Sequence, residues 1–202
     1  MLKRLCWVAV TMLAAAVSIG ARAEYLPKAE QVVDQVYAIV GPLGQRSAEN
    51  DGLNANYGFV VTPSGVILID SGASRLGAAK LERAIRAVTE KPVRWVINTG
   101  SQDHRWLGND YFAGRGAEVF ALSRTAATQA QHAGQQLAGL ERFLGDRLQD
   151  TKAMPANKTL PGGEAAFELG GEMLILRYTD AHFPGDALVF LPKRDVVFTG
   201  DL

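Results

Sequence analysis

Residues Val96 to Phe112 read V-I-N-T-G-S-Q-D-H-R-W-L-G-N-D-Y-F, an apolar strand end, a polar turn and a helix start. The turn holds the densest set of potential ligands and acid/base groups in the chain: Gln102, Asp103, His104 and Arg105 in succession. Val93 to Thr99 is predicted as a strand that delivers this turn at its carboxyl end, where open α/β sheets bind their ligands. Two later segments, A-H-F-P-G-D from Ala181 to Asp186 and F-T-G-D-L from Phe198 to Leu202, carry further groups of the same kind.

Upstream, N-Y-G-F-V-V-T from Asn56 to Thr62 and V-I-L-I-D from Val66 to Asp70 flank Pro63-Ser64-Gly65, the order of a tight hairpin turn. The second strand is apolar on both faces, so its sheet is expected to be covered on both sides. Ser74 is placed to cap a helix from Arg75 to Lys91, with Leu81, Ala84, Ile85 and Val88 as its apolar stripe. A strand is expected from Gln35 to Val40, and the polar segment after it is expected to be a loop. Trp106 to Gly114 reads as a short helix and Ala117 to Leu122 as a strand. Ser123 is expected to cap a helix to about Leu148, packed through Leu137, Leu140, Leu144 and Leu148. His132 falls among glutamines on that helix's polar side. Thr151 to Gly163 reads as loop. Strands follow at Ala165 to Glu168, Met173 to Tyr178, Ala187 to Leu191 and Val196 to Thr199, with Gly170-Gly171 and Pro192 to Asp195 as turns.

Lys3 and Arg4, an apolar run from Leu5 to Val17 and then Ala21-Arg22-Ala23 match a secretory signal peptide, with cleavage expected after Ala23. The run is shorter than the roughly 18 residues of a membrane span. Export to the periplasm or beyond is therefore expected, with residues 24–202 as one domain. Cleavage removes three basic residues and no acid, leaving 18 basic against 21 acidic side chains, a net charge of −3. With no basic block, nucleic acid and anionic membrane are not expected partners; a small-molecule substrate is. The only cysteine, Cys6, leaves with the signal, so thiolate chemistry, disulfides and Cys metal ligation are excluded. Any metal must be held by nitrogen and oxygen.

These residues resemble the metallo-β-lactamase-fold hydrolase superfamily over nearly all of residues 24–202. Gly58 to Thr62 with Val66 to Gly72 is similar to its opening hairpin and aspartate. Ile97-Asn98-Thr99 and Leu107-Gly108-Asn109 frame its first metal motif, Ala181 to Asp186 is similar to its G-H-T-x-G-D motif, and Phe198 to Asp201 to its bridging-aspartate motif. The resemblance implies an α/β fold, a four-layer αββα sandwich with the site along one edge. It also implies hydrolysis by water bound to one or two metals, usually zinc, which lowers the water's pKa towards neutrality.

The chain departs from the family at its first motif, H-x-H-x-D-H. An ungapped reading from Thr99 to Asn109 puts Gly100, Gln102, His104 and Arg105 at the four ligand positions; a one-residue slip keeps Asp103-His104 but puts Thr99 and Ser101 at the leading histidines. Only three histidines exist in the chain, and two fall in the motifs. His104, His182 and Asp201, with Gln102 as an amide-oxygen donor, are the expected ligands of one zinc ion at most. Asp103 is the candidate for a further ligand or the water-orienting base, and Gln102 and Arg105 are the candidates for positioning substrate or stabilising negative charge. Asp70, as a turn-capping carboxylate, and Asp180 and Asp186, beside His182, are expected in supporting roles. The alternative is a metal-free binding protein or pseudo-enzyme on the same fold, in which the Arg105 guanidinium pairs with Asp103 or Asp201 in place of a cation. The family's sequences continue beyond the T-G-D motif and supply a last histidine there, so a fragment of a longer protein is expected from sequence, with a truncated, non-functional product as a further alternative.

Overall fold

The computed structural model describes residues 25–202; the expected signal peptide, residues 1–23, lies outside them. No helix among the described residues is long and apolar enough to cross a membrane.

The core of the large sheet is the hairpin of β3 (Tyr57–Thr62) and β4 (Gly65–Ile69), buried at every position. Such burial follows from residues apolar on both faces. The expected strand between Gln35 and Val40 is β2 (Val36–Ile39), and it pairs antiparallel with β3. Ahead of it lies β1 (Ala29–Val33), an unanticipated strand. Its side chains are almost all exposed, so no alternation of apolar and polar residues marks it. From β4 the chain crosses through α1 (Arg75–Arg86) to β5 (Val93–Ile97), parallel to β4. Ser74 caps α1, its hydroxyl accepting from Gly77 N at 2.9 Å. The helix ends five residues before the expected Lys91. Val88 is exposed, so the apolar stripe no longer supports the helix, and Pro92 disfavours helical geometry at Lys91.

Two short helices, α2 (Asp103–Trp106) and α3 (Asn109–Ala113), stand where one was expected. The strand β6 (Glu118–Leu122) runs parallel to β5 and leads directly into α4 (Ser123–Leu144). Leu122 is the cap residue, and the Ser123 hydroxyl instead donates to Leu160 O at 3.1 Å. Leu140 and Leu144 are buried against Ala73, Trp106 and Leu107, with Leu137 and Leu148 alongside. Gly145, at φ 50°, ends the helix, and Leu148 belongs to a following 3-10 turn rather than to α4. Within the expected loop lies β7 (Lys158–Leu160), too short to show a period; it joins β6 in parallel and completes a seven-stranded sheet.

The second sheet is an antiparallel meander of β8 (Glu164–Leu169), β9 (Glu172–Tyr178), β10 (Ala187–Leu191) and β11 (Val196–Phe198). Gly170 and Gly171, both with positive φ, turn β8 into β9 as expected. Leu174, Leu176, Val189 and Leu191 face Val60, Ile67, Ile69 and Ile97 across the gap between sheets. On the other side of the large sheet, Leu81, Ala84 and Ile85 of α1 pack on Phe59, Leu68 and Val96. The substantial helix–strand contacts are all with the large sheet. Three layers of the expected four-layer sandwich are therefore in place: helices, large sheet and small sheet. The outward residues of the small sheet, among them Met173, Ile175, Leu188 and Phe190, are half-buried.

Gly58 fixes how closely the sheets approach, because a Cβ there would lie 2.1 Å from the Phe198 ring. Gly58→Ala is expected to cost about 1–3 kcal/mol by overpacking, measured by urea unfolding. The cost is expected to shrink in a Phe198→Ala background, an outcome that strand propensity alone would not give.

Candidate functional site

Three carboxamides and a hydroxyl hold the turn after β5 from behind. Asn98 donates to Arg105 O at 3.0 Å and to Asn109 Oδ1 at 3.1 Å, and its Oδ1 accepts from Asn109 at 2.8 Å and Gln129 at 3.1 Å. Ser71 Oγ donates to the same Asn109 oxygen at 2.8 Å. All four side chains are buried, and their mutual bonds satisfy groups that would otherwise be costly to desolvate. This cluster presents α2 to the edge of the sandwich.

In front of it runs a chain of ion pairs. Asp70, at φ 63° and 1% exposed, accepts from Thr99 N at 2.8 Å, from Thr99 Oγ1 at 2.6 Å and from Arg105 Nη1 at 3.0 Å. The expected turn-capping carboxylate thus ties its strand end to that of β5. Arg105 Nη1 also donates to Asn56 O at 3.0 Å, while Nη2 donates to Asp201 Oδ1. The other oxygen of Asp201 lies 2.9 Å from His104 Nε2. His104 Nδ1 lies 3.1 Å from Asp103 Oδ1. Arg46, from the loop between β2 and β3, donates to that same Asp103 oxygen through Nε at 2.9 Å and also through Nη2. Its Nη2 is 2.6 Å from His104 Nδ1 as well, so the guanidinium and a proton on that ring nitrogen compete for Asp103.

Around this network opens a cleft of about 530 Å³, on which Gln102, His104, Arg105, Asp201 and His182 all border, with Arg46 on the loop side. Five sequence candidates (Asp70, Asp103, His104, Arg105 and Asp201) are joined in the network, and Gln102 and His182 reach the cleft. Asp186 and Asp180 do not join it. Asp186 Oδ2 accepts from Phe183 N at 2.6 Å, within its own turn, while its other oxygen faces Gly100. Asp180 is exposed and pairs with Arg124 at 2.9 Å. His132, expected to be solvated, is partly exposed and lies edge-on to Phe183. Arg46 is the residue that sequence reasoning missed. It is the only basic side chain between Gly41 and Gly52, a signal without chemical specificity.

Burial alone would lower the pKa of the His104 imidazole, but its bonds to Asp103 and Asp201 carry it above the ordinary 6.5. Burial would raise Asp201, yet His104 and Arg105 hold it far below the usual carboxylate range. Asp103 is likewise held down, against its burial, by His104 and Arg46. Desolvation keeps the buried Tyr57 phenol, beneath the network, neutral.

The profile of the metallo-beta-lactamase superfamily matches residues 50–202. The chain belongs to the metallo-β-lactamase superfamily. No curated protein matches it significantly. Among solved structures, a metallo-beta-lactamase from Pontibacter korlensis superposes with a TM-score of 0.63 at 18% identity, covering 86% of this chain and 70% of that one. A metallo-beta-lactamase from Pseudomonas aeruginosa in its mono-zinc form gives 0.64 at 17%, covering 87% and 69%. A motif mutant of the metallo-beta-lactamase from Cronobacter sakazakii gives 0.58 at 23%, covering 80% and 58%. These likenesses establish the fold of the superfamily's hydrolases.

Zinc needs three or four nitrogen and oxygen donors converging on one point. In this member Gly100 offers no side chain, and a Cβ there would sit 2.8 Å from Asp186 Oδ1. Arg105 brings a cation to a ligand position and takes one oxygen of Asp201; His104 takes the other. Among the described residues no three His, Asp or Glu side chains are grouped to hold a metal ion. Of the expected one-zinc set, His104 and Asp201 are bonded to each other and Asp201 also to the Arg105 guanidinium, while Gln102 and His182 border the same cleft.

Two outcomes test the network. A raised His104 pKa contributes stability that is complete below about 6.5 and is lost as pH rises through the folded value. Depressed Asp103 and Asp201 contribute stability above 3.8 that is lost as pH falls towards their folded values. The melting temperature is thus expected to peak between those limits, and His104→Gln to remove the loss on the alkaline side. Arg105→Ala, which strands the buried Asp70 carboxylate, is expected to cost about 3–5 kcal/mol in urea unfolding.

Proposed function

We propose that this chain is an exported small-molecule-binding protein on the metallo-β-lactamase fold, in which the Arg105 guanidinium supplies the positive charge that a divalent metal would otherwise bring. The observation that carries the reading is Arg105 itself, 4% exposed and donating to both Asp70 and Asp201. With Arg46, Arg105 and a protonated His104 set against Asp70, Asp103 and Asp201, the charges balance without an ion. Export rests on the sequence of residues 1–23, read as a cleaved leader.

A second reading adds turnover, supported by one side chain. Both ring nitrogens of His104 are engaged, whereas His182 stands exposed at the rim of the cleft. It is the imidazole free to take a proton from water or a substrate hydroxyl. Hydrolysis would then proceed by general base catalysis on an ester, thioester, lactone or amide.

The test is metal analysis of the purified protein together with melting curves in zinc and in chelator. No stoichiometric metal and unchanged melting in both are expected; bound zinc, or a clear rise in melting temperature with zinc, overturns the metal-independent reading. The turnover reading is checked on a chromogenic acetate ester. Hydrolysis that withstands chelator and is lost in His182→Ala supports it, and equal rates in wild type and variant reject it.

A further inference from the structure

Of the three cations in the candidate site, His104 and Arg105 stand on α2, whereas Arg46 is delivered by the loop between β2 and β3. A loop has no helix or strand ladder to satisfy and fix its backbone groups. Something else must therefore hold Arg46 where it meets Asp103 and His104, and one side chain of the same loop does so.

Asn50 is buried, and its carboxamide brackets Arg46. Asn50 Nδ2 donates to Gln45 O at 3.0 Å, and Asn50 Oδ1 accepts from Ser47 N at 2.9 Å. The peptide groups on both sides of Arg46 are thus held by one planar group. The same Oδ1 accepts from Gly52 N at 2.9 Å, which draws the loop's return strand against the bracket. The next residue, Asp51, anchors the bracket to the helix layer. Its carbonyl accepts from Ser74 Oγ at 2.6 Å, and its buried carboxylate lies 2.7 Å from Lys80 Nζ on α1 and accepts from Arg147 at 2.6 and 2.9 Å. Asn54 provides a contrast within the same loop. Its Nδ2 reaches Gly44 O at 3.4 Å, and its Oδ1 has no partner among the described residues, so it touches neither peptide group beside Arg46.

We propose that Asn50 is a positioning residue of the candidate site, holding Arg46 against Asp103 and His104 while Arg46, and not Asn50, borders the cleft. This role rests on the metal-independent reading of the site, in which Arg46 is one of the balancing cations. A fully bonded amide fixes the backbone on either side of Arg46, so the guanidinium is pre-set rather than ordered by a ligand.

Nuclear magnetic resonance of the whole chain, in chelator and at one pH, tests this, with melting curves showing that each variant is folded. The Arg46 Nε–H signal, assigned by its absence from Arg46→Ala, is expected to exchange with water about tenfold faster in Asn50→Ala, the worth of about one hydrogen bond. In Asn54→Ala it is expected to keep the wild-type rate. Asn50→Ala is also expected to move the His104 Nδ1 resonance in the direction that Arg46→Ala moves it, and to add nothing once Arg46 is gone. An asparagine that only braced the loop would not show that dependence. Should Asn50→Ala not fold, Asn50→Asp keeps both acceptor contacts and loses the donor to Gln45 O, with the same directions expected. Unchanged exchange, equal acceleration in Asn54→Ala, or a His104 shift that adds to that of Arg46→Ala would overturn the assignment. Failure of the metal-independent reading has a different signature, displacement of the wild-type Arg46 signal by zinc.

Discussion

A single guanidinium holds the edge of this sandwich together. Arg105 reaches from α2 to Asp70 at the end of β4, to the carbonyl of Asn56 before β3, and to Asp201 beyond β11. One side chain therefore joins both sheets and the turn after β5. Burying a cation in this way is costly unless it is paired and hydrogen-bonded. The two carboxylates and the carbonyl meet that requirement, while Nε is left without a partner among the described residues.

The rest of the site follows from satisfying what Arg105 leaves open. Asp201 has a second oxygen, which His104 meets; His104 has a second nitrogen, beside which Asp103 and Arg46 close the series. Each member is tied down by its neighbour, and in a medium of low effective dielectric such coupled polar groups are rigid when complete and costly when broken. Behind them, the Asn98, Asn109 and Gln129 amides give the turn a fixed platform.

Much of this was legible in the sequence. The hairpin of β3 and β4, the crossover through α1 and the meander of the second sheet follow from apolar runs, turn residues and a helical stripe. Less legible were β1 and β7. The first is exposed and the second has three residues, so neither displays a period. Arg105, His104, Asp103 and Asp201 were identified as candidates, and the alternative pairing of Arg105 with Asp201 could be written from charge alone. Which donors would meet could not, because that depends on a long-range contact of Arg46, 57 residues away from Asp103 in sequence.

Interlocking of this kind also constrains how the sequence can change. The carboxylate of Asp186 leans against Gly100, so a side chain at position 100 must displace it. Exchanging Arg105 by itself would leave Asp70 and Asp201 without their shared cation. Replacement at position 100 or 105 is therefore tied to the carboxylates around it. Neighbouring positions in this network can vary only in concert.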